Sequence, residues 1–202
     1  MTTVHPLRRV ALLCGLAVLA APAIAQDAYP SKPITIVVGY PPGGSTDLTA
    51  RTVATELGNK LGVPVVIENL GGAGGAIGAQ KVANAAPDGY TLLVGANNEI
   101  AINKLVTKKV KYDIKDFTAI GLIASQPLVL VASTGAGVKN MAEFTQKVSK
   151  NPGKFSYGSS GVGTALHLAG EMVKQRAGLY MTHIPYRGVA PLASDLLGNN
   201  LE

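Results

Sequence analysis

Residues 34–47 read ITIVVGYPPGGSTD, and the fold is decided there. Five apolar or β-branched residues, 34–38, predict a short buried strand. Gly39 breaks it, and Pro41-Pro42-Gly43-Gly44 makes a turn that continues neither as strand nor as helix. Ser45, Thr46 and Asp47 are successive N-cap candidates, and Ala50, Val53, Ala54, Leu57 and Leu61 then recur at helical spacing up to Gly62. The unit is strand, glycine turn, helix. Its bare backbone amides, backed by a helix N-terminus, form a potential anion site. An ordinary β–α turn holding no ligand fits this segment equally well.

The next segments repeat the design. Residues 65–69 (VVIEN) predict a second buried strand, and GGAGGAIGAQ, 71–80, a glycine turn opening a helix with Ala79, Val82, Ala83 and Ala86 inward. Pro87-Asp88-Gly89 is a turn, residues 90–94 a third strand, and Gly95-Ala96-Asn97-Asn98 a small polar turn before a short helix reaching Leu105. Strands alternating with helices across short loops imply a parallel sheet covered on both faces. Three anion-friendly loops then share its carboxyl edge, where open α/β sheets place ligands. That convergence favours a binding site over an ordinary turn.

Not all 202 residues belong to the fold. Arg8 and Arg9 precede an apolar run, 10–23, too short for a membrane span, and Ala23-Ile24-Ala25 has the small-x-small form of a signal-peptidase site. Residues 1–25 therefore read as a cleaved export signal, with Gln26 first in a periplasmic protein. Cys14, the sole cysteine, lies in that run behind Leu13 rather than a small residue, so a lipid anchor is not expected and the mature chain lacks thiol chemistry. Removing Arg8 and Arg9 leaves sixteen basic against twelve acidic residues, a net +4. The excess is spread along the chain, which argues against nucleic acid and modestly favours small anions.

Beyond a charged connector, 111–116, residues 120–125 and 127–132 predict two more short strands, followed by a loop, 133–139. A change of lobe is placed here, giving a first α/β lobe over 26–125 and a second, incomplete, over 126–202. Residues 141–150 predict an amphipathic helix ended by Asn151-Pro152-Gly153, and 155–157 a strand running into GSSGVGT, 158–164. Leu166, Ala169, Met172, Val173 and Ala177 mark the inner face of the next helix. Residues 181–185 predict a strand, Tyr186-Arg187-Gly188 its loop, and 190–197 a helix ended by Gly198.

Nucleotide and hydrolase motifs fail. No glycine precedes Lys-Ser/Thr, and the dinucleotide spacing started from Gly72 or Gly161 ends on Ile77 or Leu166. A nucleophile elbow at Ser160 would need glycine where Val162 stands. His183 reads as a structural strand residue, while His167, in a helix's first turn, either faces the cleft or caps contacts. With no cysteine in the mature chain and no His–carboxylate spacing, neither a metal, a cofactor nor an enzyme is expected.

VVGYPPGGSTD, ENLGGAGGAIGA, PDGYTLLVG, SYGSSGVGTALHLAGE and HIPYRGVAPLASDLLG, in this order, resemble the Bug or TctC-like extracytoplasmic solute receptors of tripartite tricarboxylate transporters. The resemblance covers residues 29–202. It implies an α/β fold of the two-lobed periplasmic binding protein type, with parallel-rich sheets flanked by helices. By the same resemblance, the second lobe and the return to the first are expected to be incomplete. It implies capture of a small carboxylate solute, transporter membrane subunits as partners, and a monomer at full length. The alternatives are a sensor presenting the solute to a membrane histidine kinase, and a non-functional gene fragment. By resemblance the ligand contacts are Gly43, Gly44 and Ser45; Ala73 and Gly74; Asn97; and Ser159, Gly163 and Thr164, with Tyr40 and Arg187 as walls. Thr164 is expected to cap its helix and donate to the ligand, and Gly44 to reject a β-branched side chain. Two departures from the family pattern stand out. Leu70-Gly71 replaces a basic residue and proline, and Glu99 adds an acid to the third loop, able to repel a second carboxylate or recognise an amino group if it faces the cleft.

Overall fold

Strand β1 (Ile34–Val38) is the most buried element, with Ile36, Val37 and Val38 all at 1% exposure or less. It is the middle strand of a three-stranded sheet of order β2-β1-β3, flanked in parallel by β2 (Val65–Asn69) and β3 (Thr91–Val94). A central parallel strand is covered on both faces, which is why it reads as a continuous apolar run. In this computed structural model residues 28–201 are described, and from Lys32 onward the chain is one compact unit. The export signal and its cleavage site lie outside the described residues.

Helix α1 (Ser45–Leu61) packs Ala50 and Ala54 on the sheet with Ile36, Val38 and Val94, and Gly62 closes it in the left-handed conformation at φ 68°. Its N-cap is Gly44, one residue before the hydroxyl candidates. Helix α2 (Ala76–Ala83) covers the other face through Ala76 and Ala79, which pack with Tyr112. A π-helical turn (Asn98–Ile102) runs into the single-turn helix α3 (Asn103–Val106). β2 is less buried than expected because it is an edge strand, and Val66 is half exposed.

The second half holds helix α4 (Met141–Ser149), strand β4 (Ser156–Ser159), helix α5 (Ala165–Ala177), strand β5 (Thr182–Pro185) and helix α6 (Val189–Leu197). β4 and β5 form a parallel pair, and Val148, Tyr157, Leu179 and Met181 make the local core. Among the described residues, the two strands expected over 120–125 and 127–132 do not form. The chain there joins no ladder, and Ile120, Leu122 and Val129 are 83%, 87% and 77% exposed. β-branched composition does not make a strand without a neighbour to receive its backbone hydrogen bonds.

Candidate functional site

The loop after β1 takes its shape from a buried carboxylate. Asp47, at the third position of α1, accepts from the Gly43 amide (2.9 Å), Arg51 Nε (2.9 Å) and Asn69 Nδ2 (2.8 Å). Asn69 Nδ2 also donates to Tyr40 O at 3.0 Å, so the end of β2 ties down both sides of the loop. Burial alone would raise the Asp47 pKa, but these hydrogen bonds more than reverse it and hold it at about 2. Residues 45–47 were expected to cap the helix, and Asp47 instead reaches back along it from inside.

The loop after β2 presents four consecutive residues, 72–75, at positive φ, including the non-glycine Ala73 at 50°. The Gly75 amide is spent on Gly72 O at 3.0 Å, which leaves the successive amides of residues 72–74 to form a concave donor surface. Gly75 is required twice over. Its φ is 88°, and a Cβ would collide with the Glu99 carboxyl. Glu99 is 1% exposed and lies behind this loop, away from the cavity described below. Its Oε2 accepts from the Ala96 amide at 3.1 Å, and among the described residues Oε1 has no hydrogen-bond partner. Burial raises its pKa from 4.5 to about 7, against hydrogen bonds from two amides and Tyr40.

Tyr40 joins the loops. Its hydroxyl donates to Gly74 O (3.2 Å), stands 3.5 Å from Glu99 Oε2 and accepts from Asn98 Nδ2 at 2.6 Å. The other end of the Asn98 carboxamide accepts from the Ala165 amide, the first of α5, at 2.8 Å. A residue of the first sheet's third loop thus caps a helix of the second half. Asn103 Nδ2 also donates to Gly74 O, and Tyr112 OH to Glu99 O. Burial raises the pKa values of Tyr40 and Tyr112, and the nearby Glu99 adds to it.

In the second half the loop after β4 is held from within. The fully buried Thr164 Oγ1 gives its hydrogen to Gly161 O (2.7 Å) and faces the His167 amide at 3.5 Å, so the donor role expected toward a ligand is taken by the loop itself. Ser159 Oγ lies 2.7 Å from His183 Nε2, and His183 stacks on His167 with ring centres 4.1 Å apart. His167 Nδ1 accepts from the Gly163 amide at 3.0 Å, so of its two readings this ring takes the one that braces loop contacts. Burial, then His167, lowers the His183 pKa. Ser159 is fully buried, and its Oγ also donates to Gly161 O (3.0 Å) and accepts from the Gly161 amide (3.2 Å), which braces the backbone of the loop. Among the described residues no group of three or more His, Cys, Asp or Glu side chains could hold a metal.

Between the loops lies a cavity of about 510 Å³, lined by Tyr40, residues 71–75, Ile77, residues 160–162 and residues 185–187. Tyr40, Ala73, Gly74 and Arg187, all expected at the site, line it, and Arg187 is exposed. Gly43, Gly44, Ser45, Asn97, Ser159, Gly163 and Thr164 fall outside that lining. Ser45 and Asn97 are exposed, while Gly44, Ser159, Gly163 and Thr164 are buried in loop frames. Gly44 has an ordinary φ of −81°, and a Cβ there would meet nothing closer than 3.9 Å, so its expected intolerance has no basis in the backbone. Gly71, Gly72, Gly75 and Ile77 join the lining beside their expected neighbours. Residues 160–162, Pro185 and Tyr186 join it without having been expected as ligand contacts. Their signal was the repeated strand-then-glycine-loop pattern of the second half.

A family model described as "Tripartite tricarboxylate transporter family receptor" matches residues 49–202. The chain belongs to this receptor family. A UPF0065 protein of Bordetella pertussis is 42% identical over 184 residues, covering 91% of this chain and 56% of the relative. An R. palustris protein solved with adipate superposes with TM-score 0.83 at 34% identity, covering 86% of this chain and 58% of that one. MatC from Rhodopseudomonas palustris, solved with bound malate, gives 0.79 at 30% identity, covering 86% and 59%. The chain thus spans under three fifths of these TctC-family relatives. The periplasmic-binding-protein α/β fold is common to them, and among the described residues no helix is long and apolar enough to cross a membrane.

Proposed function

We propose that this TctC-family chain is a periplasmic receptor that captures a small carboxylate-bearing solute in the cavity between its glycine loops. The observation that carries the reading is the run of positive-φ residues, 72–75, lining that cavity opposite residues 160–162, with α2 starting directly behind it. Backbone donors and a helix N-terminus favour an anion, and the absence of bulky side chains on the run lets it approach closely. Arg187 supplies an exposed positive charge at the wall and guides encounter more than it fixes geometry. The boundary near residue 125 separates two lobes that close on the solute. The receptor hands its cargo to the membrane subunits of a tripartite tricarboxylate transporter after export and removal of residues 1–25.

Adipate and malate, carried by the two R. palustris proteins, are the first solutes to titrate by calorimetry. Saturable binding of one of them is expected. The Arg187→Gln variant should bind with less than about a tenfold loss, roughly the weight of an exposed charge pair. Abolished binding in that variant would replace the amide cradle with a side-chain ion pair, and no binding of any small carboxylate would sink the reading.

A further inference from the structure

We propose that an ionised Glu99 takes up a proton when a carboxylate settles on the glycine loops, so that solute capture near and above neutral pH is coupled to protonation. The inference rests on the anion-site reading above and adds its regulation. Glu99 lies directly behind the cradle. An atom added at Gly39 would stand 2.9 Å from Oε1, and one added at Gly75 would overlap the carboxyl. Only the backbone of these loops separates the side chain from the cavity face, and Tyr40 touches both sides, lining the cavity and reaching Oε2.

The titratable groups facing Glu99 are the phenols of Tyr40, from the loop after β1, and Tyr112, from the connector beyond α3. Neither supplies a positive charge. Among the described residues Glu99 enters no ion pair, and Oε1 has no partner. An ionised Glu99 is therefore a negative charge away from water with no positive partner among the described residues, and a bound carboxylate would add a second one across a single layer of backbone. Each disfavours the other. By linkage, a proton on Glu99 strengthens anion binding, and the anion strengthens the hold on the proton by the same factor. The raised pKa of about 7 places this exchange near neutrality.

Calorimetric titration of the chain with adipate, in Tris and Hepes at about pH 8 and in Mes and cacodylate at about pH 5.5, reads the protons exchanged from the different ionisation heats within each pair. Uptake should approach one proton at about pH 8 and vanish near about pH 5.5, with affinity falling up to about tenfold per pH unit above neutrality. Glu99→Gln should bind adipate at pH 5.5 as the parent does, with no uptake and no such fall. Adipate binding without proton uptake overturns the coupling, as does uptake that persists in Glu99→Gln. If neither adipate nor malate binds at any pH, the coupling falls with the receptor reading. A parent-versus-variant stability gap that still opens between pH 5 and 8 then traces the failure to the solute rather than to Glu99.

Discussion

Asp47 and Glu99 are buried carboxyls of one loop cluster, and their effects on stability run in opposite directions with pH. The folded-state pKa of Asp47 is depressed from 3.8 to about 2, so its contribution is present above the unfolded value and lost as pH falls through that interval. Asp47→Asn should lose roughly 2 kcal/mol at neutral pH, read as a lower denaturant midpoint with unchanged slope. The folded-state pKa of Glu99 is raised from 4.5 to about 7. Between those values the folded chain keeps a proton that the unfolded chain releases, so stability falls as pH rises and levels off above about 7. Glu99→Gln removes that loss. It should match the parent near pH 4.5 and exceed it by up to roughly 3 kcal/mol at about pH 8, by urea unfolding at both pH values. Equal stability at pH 8 would mean that the carboxyl is solvated or paired.

For individual elements, what could be read from composition depended on whether local pattern or a distant partner decides the structure. β1 was legible because five apolar or β-branched residues between turn signals need a covered central strand, and α1 because its apolar spacing and Gly62 are local. Residues 120–132 are also mostly apolar but lack a ladder partner among the described residues, and nothing in a short apolar run reveals that. Gly44 and Gly75 make the same point for the loops. Both sit in glycine turns, yet only Gly75 combines positive φ with a side chain packed against its Cα. The expected outcome is a split in amide exchange by mass spectrometry. Residues 34–38 and 65–69 should be slow, and 118–132 close to open-chain rates. Leu122→Lys with Val129→Lys should reduce self-association in sedimentation while leaving the thermal midpoint within about 2 °C, because both side chains already face water. A large fall in that midpoint would show that the segment has a partner in solution.

At the scale of the molecule, the alternation of strands and helices announced a parallel α/β fold, and two of the glycine loops announced the cavity that they line. How the second half is tied to the first was invisible, because the tie consists of single polar side chains with no periodicity. Asn98 is the clearest of them. Its carboxamide spans from Tyr40 OH, behind the first glycine loops, to the Ala165 amide at the start of α5, and the residue is 5% exposed. Gly74 and Thr164 pack across the same junction, where a Cβ on Gly74 would come within 3.2 Å of Thr164 Cγ2. Asn98→Ala leaves a buried hydroxyl and a part-buried amide without their partner, which costs roughly 1–3 kcal/mol for each group that water cannot reach. The loss should fall unevenly. β1, β2 and β3 keep their ladders and the core around Ala50, so their amides should stay protected. The amides at the start of α5 and in the loop 160–164 should exchange at least about tenfold faster, since about 1.4 kcal/mol of local stability corresponds to that factor. Solute affinity should drop with them, because residues 160–162 form the opposite wall of the cavity. Equal acceleration in both halves would mean that Asn98 supports the whole core. No acceleration anywhere would mean that the α5 amide is satisfied by water and that Asn98 bridges nothing that matters.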